Sequence, residues 1–268
     1  MLETNKKAIK LFLLITVALS VVWETVIILT GEMGYAAFLM WVPAFAALIA
    51  KLTYFRKEKH ALLFAKSKIK YILLAVLLPL IYLGVPYLIY WMINPGSMRI
   101  EWGIQVLVMA VIGIVISMLT ALGEEIGWRG FLVPRLLTWL GLEKTLLLTG
   151  LIWGLWHCPL LISGIYMPGT PNWFKVPMFL IIIGAVGVMI GILTLRAKSV
   201  WPAAIMHAAH NNFDQVILGA GTVGNNKMYF VSESGIFTAV IAVTLAIWMY
   251  CSYKKELKNS VIEEKSEA

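Results

Sequence analysis

The chain has 268 residues, 60% apolar and only 13% charged, with a mean hydropathy of +0.85. Soluble domains carry roughly 25% charged residues, so most of this chain is excluded from water, and its length fits one membrane bundle at ~20 residues per span. The net charge of +8 is scattered between apolar runs and forms no basic face, which points to membrane-surface charge and against a nucleic-acid partner.

In chain order, apolar stretches fall near residues 9–30, 34–55, 70–93, 102–123, 145–163, 176–195, 200–220 and 235–252. They predict an all-α, polytopic transmembrane helix bundle of about eight spans in the cell membrane. Lys6, Lys7 and Lys10 precede the first run. That run, Leu11 to Thr30, is too long for a signal-peptide core and no A-x-A site closes it, so it reads as a retained span. The segment 130–143 is shorter and mixed, as in an amphipathic helix lying at the interface. The seventh run is set apart by His207, His210, Asn211, Asn212 and Asp214. The stretch 254–268 is charged and expected to be a disordered cytoplasmic tail. The expected organisation is therefore a single transmembrane domain over 1–253, with a motif-bearing core at about 102–220. No repeat of fixed period is visible, and no inverted repeat of the kind transporters carry.

The basic residues test this map. The N-terminus, 51–70, 124–145, 196–199 and the C-terminal tail hold 19 of the 22, and the alternate segments hold Arg99, Lys175 and Lys227. Such a split predicts an even number of spans with both termini cytoplasmic. Cys158 and Cys251 lack CxxC or zinc-finger spacing and read as small buried hydrophobes.

Ionisable groups at membrane depth are costly and mark function by default. In Gly123-Glu124-Glu125-Ile126-Gly127-Trp128-Arg129-Gly130, Glu125 and Arg129 are four apart and can pair on one helical face. Glu124 lies about 100° away, free to act as a base in a partly dry site. The plainer reading is a solvated cytoplasmic cap. In Trp153-Gly154-Leu155-Trp156-His157-Cys158-Pro159, Trp153 sits one turn before His157 and can wall off its imidazole, while Pro159 frees backbone groups nearby. The plainer reading is a histidine bonded to a neighbouring helix for packing. In the third cluster His207 and Asn211 share a face, and His210 and Asp214 share another. His with Asn offers donors suited to an oxyanion, and the plainer reading is a polar stripe that holds helices together. Packing alone seldom needs all three clusters at once. Glu24, His210 and Asp214 receive no role.

Taken in series, Glu124-Glu125-x-x-x-Arg129, Trp153-x-x-x-His157 and His207-x-x-x-Asn211 resemble the motifs of the CPBP family of intramembrane proteases. These are the CAAX-type prenyl endopeptidases and bacteriocin-processing proteins, also called the Abi family. The resemblance covers about 120–215. It departs at Trp153, where the family usually has Phe. It implies a CAAX-type intramembrane endopeptidase acting on a peptide or protein substrate at the lipid bilayer, from a cavity open toward the cytoplasm or the bilayer. Glu124 and His157 would activate water and His207 and Asn211 would stabilise the oxyanion, with Glu125, Arg129 and Trp153 in support. Zinc held by Glu124, His157 and His207 is an alternative, since three protein ligands plus water is a catalytic zinc pattern. No H-E-x-x-H is present, and activation of water by glutamate without a cofactor is preferred. Competing readings are a non-catalytic bacteriocin-immunity or scaffold protein of the same fold, and a small proton-coupled transporter.

Overall fold

The computed structural model describes residues 1–267. Backbone groups in lipid must be bonded within their own segment, and the apolar runs accordingly fold as helices. The chain is a multi-pass membrane protein, an all-α bundle. Among the described residues, six helices are long and apolar enough to cross a membrane. They are α1 (Leu2–Thr30), α2 (Ala36–Tyr54, with a 3-10 turn before it), α3 (Ile69–Ile93), α4 (Ile104–Glu125) with its continuation, α8 (Asn172–Ala197) and α11 (Ile236–Glu267). Helix α11 runs without a break through residue 253, and Ala268 lies outside the described residues.

Two of the eight expected spans take another form. The fifth is split into α6 (Leu142–Trp156) and α7 (Cys158–Ile162). Pro159 is the cause: it has no N–H for the carbonyl of Leu155, and its ring crowds that carbonyl. The seventh is α9 (Trp201–Asn211) followed by a π-helical segment, Asn212–Leu218. The widened turn is visible in the bond from Gly219 N–H to the Asp214 carbonyl five residues back, at 2.8 Å.

The expected interface helix over 130–143 is also different. Helix α4 passes through a π-helical turn, Ile126–Leu132, directly into α5 (Val133–Leu140), making one run of 37 residues. Of the two charges in this segment, Glu143 stays exposed and Arg135 is used internally. Arg135 donates to the carbonyls of Ala61 and Phe131 at 3.1 and 3.0 Å, and the neighbouring Arg129 on the π turn is fully buried. Close approach of α2 to this run depends on Gly123 and Gly127. A Cβ on Gly123 would lie 2.7 Å from the Met40 carbonyl oxygen, and one on Gly127 would overlap the Pro43 ring, as small-xxx-small helix contacts require.

The alternating path gives the bundle two unlike ends. One collects the start of α1, residues 55–68, the α5–α6 junction, 198–200 and the last turns of α11. It is tied together by Asn5 to Thr138 (3.0 Å), Arg196 to Glu256 (2.8 Å) and Lys254 to Glu143 (3.0 Å). Residues 61–65 lie across this end. Their carbonyls accept from Arg135 (at Ala61, 3.1 Å), Val200 N–H (at Leu63, 3.0 Å) and the Ser199 hydroxyl (at Ala65, 2.6 Å). The other end gathers 31–35, 94–103, 163–171 and 219–235, the last of these including the short α10 (Lys227–Phe230). It is joined where Arg99 N–H donates to the Gly221 carbonyl at 2.8 Å.

Candidate active site

Glu124 and Glu125 end α4, just where the π turn begins, and both are buried. The pairing expected from spacing is present: Arg129 Nη1 donates to Glu125 Oε1 at 2.9 Å, with both side chains at most 1% exposed. The same oxygen accepts from His207 Nδ1 at 2.8 Å. Glu125 therefore joins α4 to α9 and fixes the His207 ring. With Nδ1 committed to a carboxylate, Nε2 is the atom left for the cavity.

Glu124 has a different partner. One of its oxygens, Oε2, accepts from the Trp153 indole N–H at 2.7 Å. The Trp153 ring also covers the Arg129 guanidinium, 4.1 Å from the ring centroid, and meets the rings of His207 and His157 edge-on at 5.2 and 5.8 Å. Trp153 thus does more than wall off an imidazole, because it also binds the Glu124 carboxylate and covers the Arg129 guanidinium. His157 caps α6, and its Nδ1 donates to the Trp153 carbonyl at 2.8 Å. A carbonyl accepts only, so Nδ1 carries the proton and Nε2 of the neutral ring is an acceptor.

Glu124, His157, His207 and Asn211 all line one cavity of about 340 Å³. Trp153 lines it too, whereas Glu125 and Arg129 sit behind its wall. The three chain segments converge because α9 packs between α4 and α8, and α8 lies against α6.

The residues without a role in the sequence divide in two. His210 lines the same cavity: Nε2 donates to Glu233 Oε1 and Nδ1 accepts from the Tyr82 hydroxyl, both at 2.8 Å. Asp214 lies behind it, accepting from Tyr87 at 3.1 Å and from Ser232 at 2.6 Å. Glu24 is elsewhere, in a separate hollow of about 330 Å³ between α1 and α6. Sequence reasoning missed Glu233 and Tyr166. Both line the cavity, and the Tyr166 hydroxyl donates to Glu233 Oε2. Ser232-Glu233-Ser234 reads locally as a solvated loop, and only its position between Val231 and the apolar start of α11 hints at burial.

Among the described residues no three His, Cys, Asp or Glu side chains gather into a group able to hold a metal ion. Glu124, His157 and His207 share a cavity without converging as ligands.

Residues 103–213 match the family model described as "Type II CAAX prenyl endopeptidase Rce1-like". The stretch runs from the start of α4 to just past Asn211 and so includes each group named in the three motifs. A "CAAX prenyl protease 2" from Methanococcus maripaludis is 35% identical over 95 residues, which is 34% of this chain and 35% of that protein. The match thus spans about a third of the curated relative's length.

Proposed function

From the premise that this chain is homologous over residues 103–213 to the CAAX protease/Abi family of membrane endopeptidases, we propose that it is an intramembrane endopeptidase hydrolysing a peptide bond of a membrane-associated substrate. The observation that carries the reading is that Glu124, His157, His207 and Asn211, from three separate chain segments, line one buried cavity.

In this mechanism a water molecule lies between the Glu124 carboxylate and His157 Nε2. As its oxygen attacks the substrate carbonyl carbon, its proton passes to Glu124, with His157 orienting and sharing it. The carbonyl oxygen becomes an oxyanion that accepts from Asn211 Nδ2 and from His207 Nε2–H. His207 can donate from Nε2 only as the imidazolium, because Nδ1 already donates to Glu125. The site then holds two carboxylates, one guanidinium and one imidazolium, a balanced set for a dry environment. Collapse of the intermediate breaks the C–N bond, and the proton held at Glu124 leaves with the amine. Glu125 and Arg129 position His207, and Trp153 positions Glu124.

The two interrupted segments, α6–α7 and α9 with its π extension, complete eight crossings in this reading. Both termini are cytoplasmic, with one transmembrane domain over 1–253 followed by a tail at 254–268. No resident cofactor takes part. The test is purified protein in proteoliposomes with a cleavable membrane peptide. Glu124→Gln retains an acceptor for the Trp153 indole but loses the base, so it is expected to fold normally and lose about 100-fold or more in rate. A cellular phenotype that survives Glu124→Gln favours the scaffold or immunity reading instead. Residues 61–65, laid across one end of the bundle, oppose a transporter passage.

A further inference from the structure

Helix α1 carries a polar stripe that the catalytic cavity does not use. Thr16, Ser20 and Glu24 are spaced four apart and all buried, while Leu14, Val17, Val21 and Leu29 of the same helix are exposed. Two members of the stripe are accounted for inside the fold. The Thr16 hydroxyl donates to the Phe12 carbonyl at 2.8 Å, and Ser20 Oγ accepts from the Trp156 indole N–H at 2.7 Å. Glu24 is not accounted for. It is 7% exposed, and among the described residues its carboxylate has neither a hydrogen-bond partner nor a cation. A carboxylate left in that state at membrane depth is costly and marks a function by default.

Glu24 lines the hollow of about 330 Å³ between α1 and α6. The stripe is its floor, its walls are apolar and aromatic, and no residue lining it is basic. At its edge Val17, Val21 and Leu155 are each half exposed or more, so the hollow opens sideways toward acyl chains. Trp156 lines both this hollow and the catalytic cavity, and its ring meets that of His157 edge-on at 4.9 Å. The indole is therefore the wall between the two.

Shape and charge select the occupant. One turn of a helix, about 10 Å across and 5.4 Å long, exceeds the volume of the hollow. A neighbouring span is thus too wide to enter, whereas a single hydrocarbon chain fits. Glu24 stands six residues before the end of α1 at Thr30, about 9 Å along the axis, at a depth a lipid headgroup can reach. A charge removed from water needs both an opposite charge and hydrogen bonds, and a primary ammonium supplies a charge with three N–H donors. A quaternary ammonium has the charge without the donors, and an anionic headgroup is repelled. Ser20 lies one turn deeper, and its hydroxyl can donate to an ester carbonyl.

We propose that this hollow binds a membrane lipid with a primary-ammonium headgroup, the ammonium on Glu24 and one acyl chain along Val17, Val21 and Leu155. The occupied hollow braces Trp156 from the side facing away from His157, and so steadies the aromatic wall of the catalytic cavity. The binding is independent of the peptidase reading, while its effect on cleavage rests on that reading.

The test uses purified full-length protein in detergent with equimolar dioleoyl phosphatidylethanolamine and dioleoyl phosphatidylcholine, followed by native mass spectrometry. Wild type is expected to retain the ethanolamine lipid about tenfold over the choline lipid, the difference made by a hydrogen bond to a charged group. Glu24→Gln keeps the shape and loses the charge, and is expected to show no preference. Val21→Trp fills the mouth without altering the carboxylate and is expected to lose the bound lipid; it decides the matter should Glu24→Gln fail to accumulate. Equal retention of the two lipids by wild type, or an undiminished preference in either variant, overturns the site. A dimer formed by wild type and not by Glu24→Gln also overturns it, by assigning Glu24 to a second copy of the chain. In vesicles containing one lipid or the other, wild type is expected to cleave a membrane peptide several-fold faster with the ethanolamine lipid, and Glu24→Gln equally with both. Equal wild-type rates, or a difference that persists in Glu24→Gln, overturn the coupling to catalysis. Absence of cleavage in every vesicle overturns the peptidase reading, while the mass spectra still decide the lipid site.

Discussion

Replacing Arg129 by leucine removes the cation from a pair in which Nη1 lies 2.9 Å from Glu125 Oε1 and neither side chain is more than 1% exposed. What remains is a buried carboxylate supported by His207 alone. Breaking such a pair from one side costs about 3–5 kcal/mol, and loss of the guanidinium from the Trp153 face adds about 1 kcal/mol. Glu125→Leu is expected to cost a similar amount, since it strands the guanidinium and frees His207. The double variant is different. Glu125 Oε2 and Arg129 Nη2 have no hydrogen-bond partner among the described residues, so the pair is incompletely compensated for its burial, and an apolar replacement recovers part of the loss. We expect the double variant to cost no more than either single one, a coupling of about 3 kcal/mol or more. In thermal unfolding of detergent-solubilised protein, each single substitution lowers Tm by about 6–24 °C, and the double lowers it no further. Additive effects, within about 0.5 kcal/mol, or a single variant as stable as wild type would refute the idea that the pair acts as one buried unit.

Trp153→Phe keeps a ring over Arg129 but removes the N–H that holds Glu124 at 2.7 Å. A hydrogen bond to a charged group is worth about 1.5–3 kcal/mol, so kcat/KM is expected to fall about 10- to 100-fold with Tm near wild type, and an unchanged rate would count against the positioning role. Gly127→Ala forces a methyl into Pro43 and is expected to cost about 1–3 kcal/mol, read as lost accumulation and lower Tm. Gly184→Ala, whose Cβ would meet nothing within 4 Å, is the matched control and should be silent. Rigorous metal removal is expected to leave proteoliposome cleavage unchanged, and loss of activity restored by added zinc would contradict activation of water by Glu124 without metal.

Much of this arrangement is legible in the sequence, for identifiable reasons. Apolar runs reveal spans because lipid leaves a helix as the backbone's single local solution, and the Glu125–Arg129 pair follows from helical spacing, which survives the π turn. Departures arise where a local signal has a nonlocal cause. The mixed character of 130–143 points to an interfacial helix, yet its buried Arg135 finds its partner in Ala61, 74 residues away. Pro159 announces a break, but only packing shows that the break lets His157 cap α6 at the cavity wall. Glu233 carries no periodic signal, and its meaning comes from His210 and Tyr166, which the fold brings to it. Trp153 reads as an aromatic wall because the sequence shows a ring and not where its N–H points.

The strap of residues 61–65 has an electrical consequence. Water in a blind cavity is nearly equipotential with the compartment it opens to, so the membrane voltage falls mainly across the closed part of the bundle. One elementary charge moved through 100 mV is worth about 2.3 kcal/mol. A proton passing from water to Glu124 at the cavity floor moves along that gradient only as far as the voltage reaches into the cavity. In the proposed reaction, the seal at Ala61 to Ala65 would then set how strongly the energised state of the membrane acts on proton transfer to Glu124.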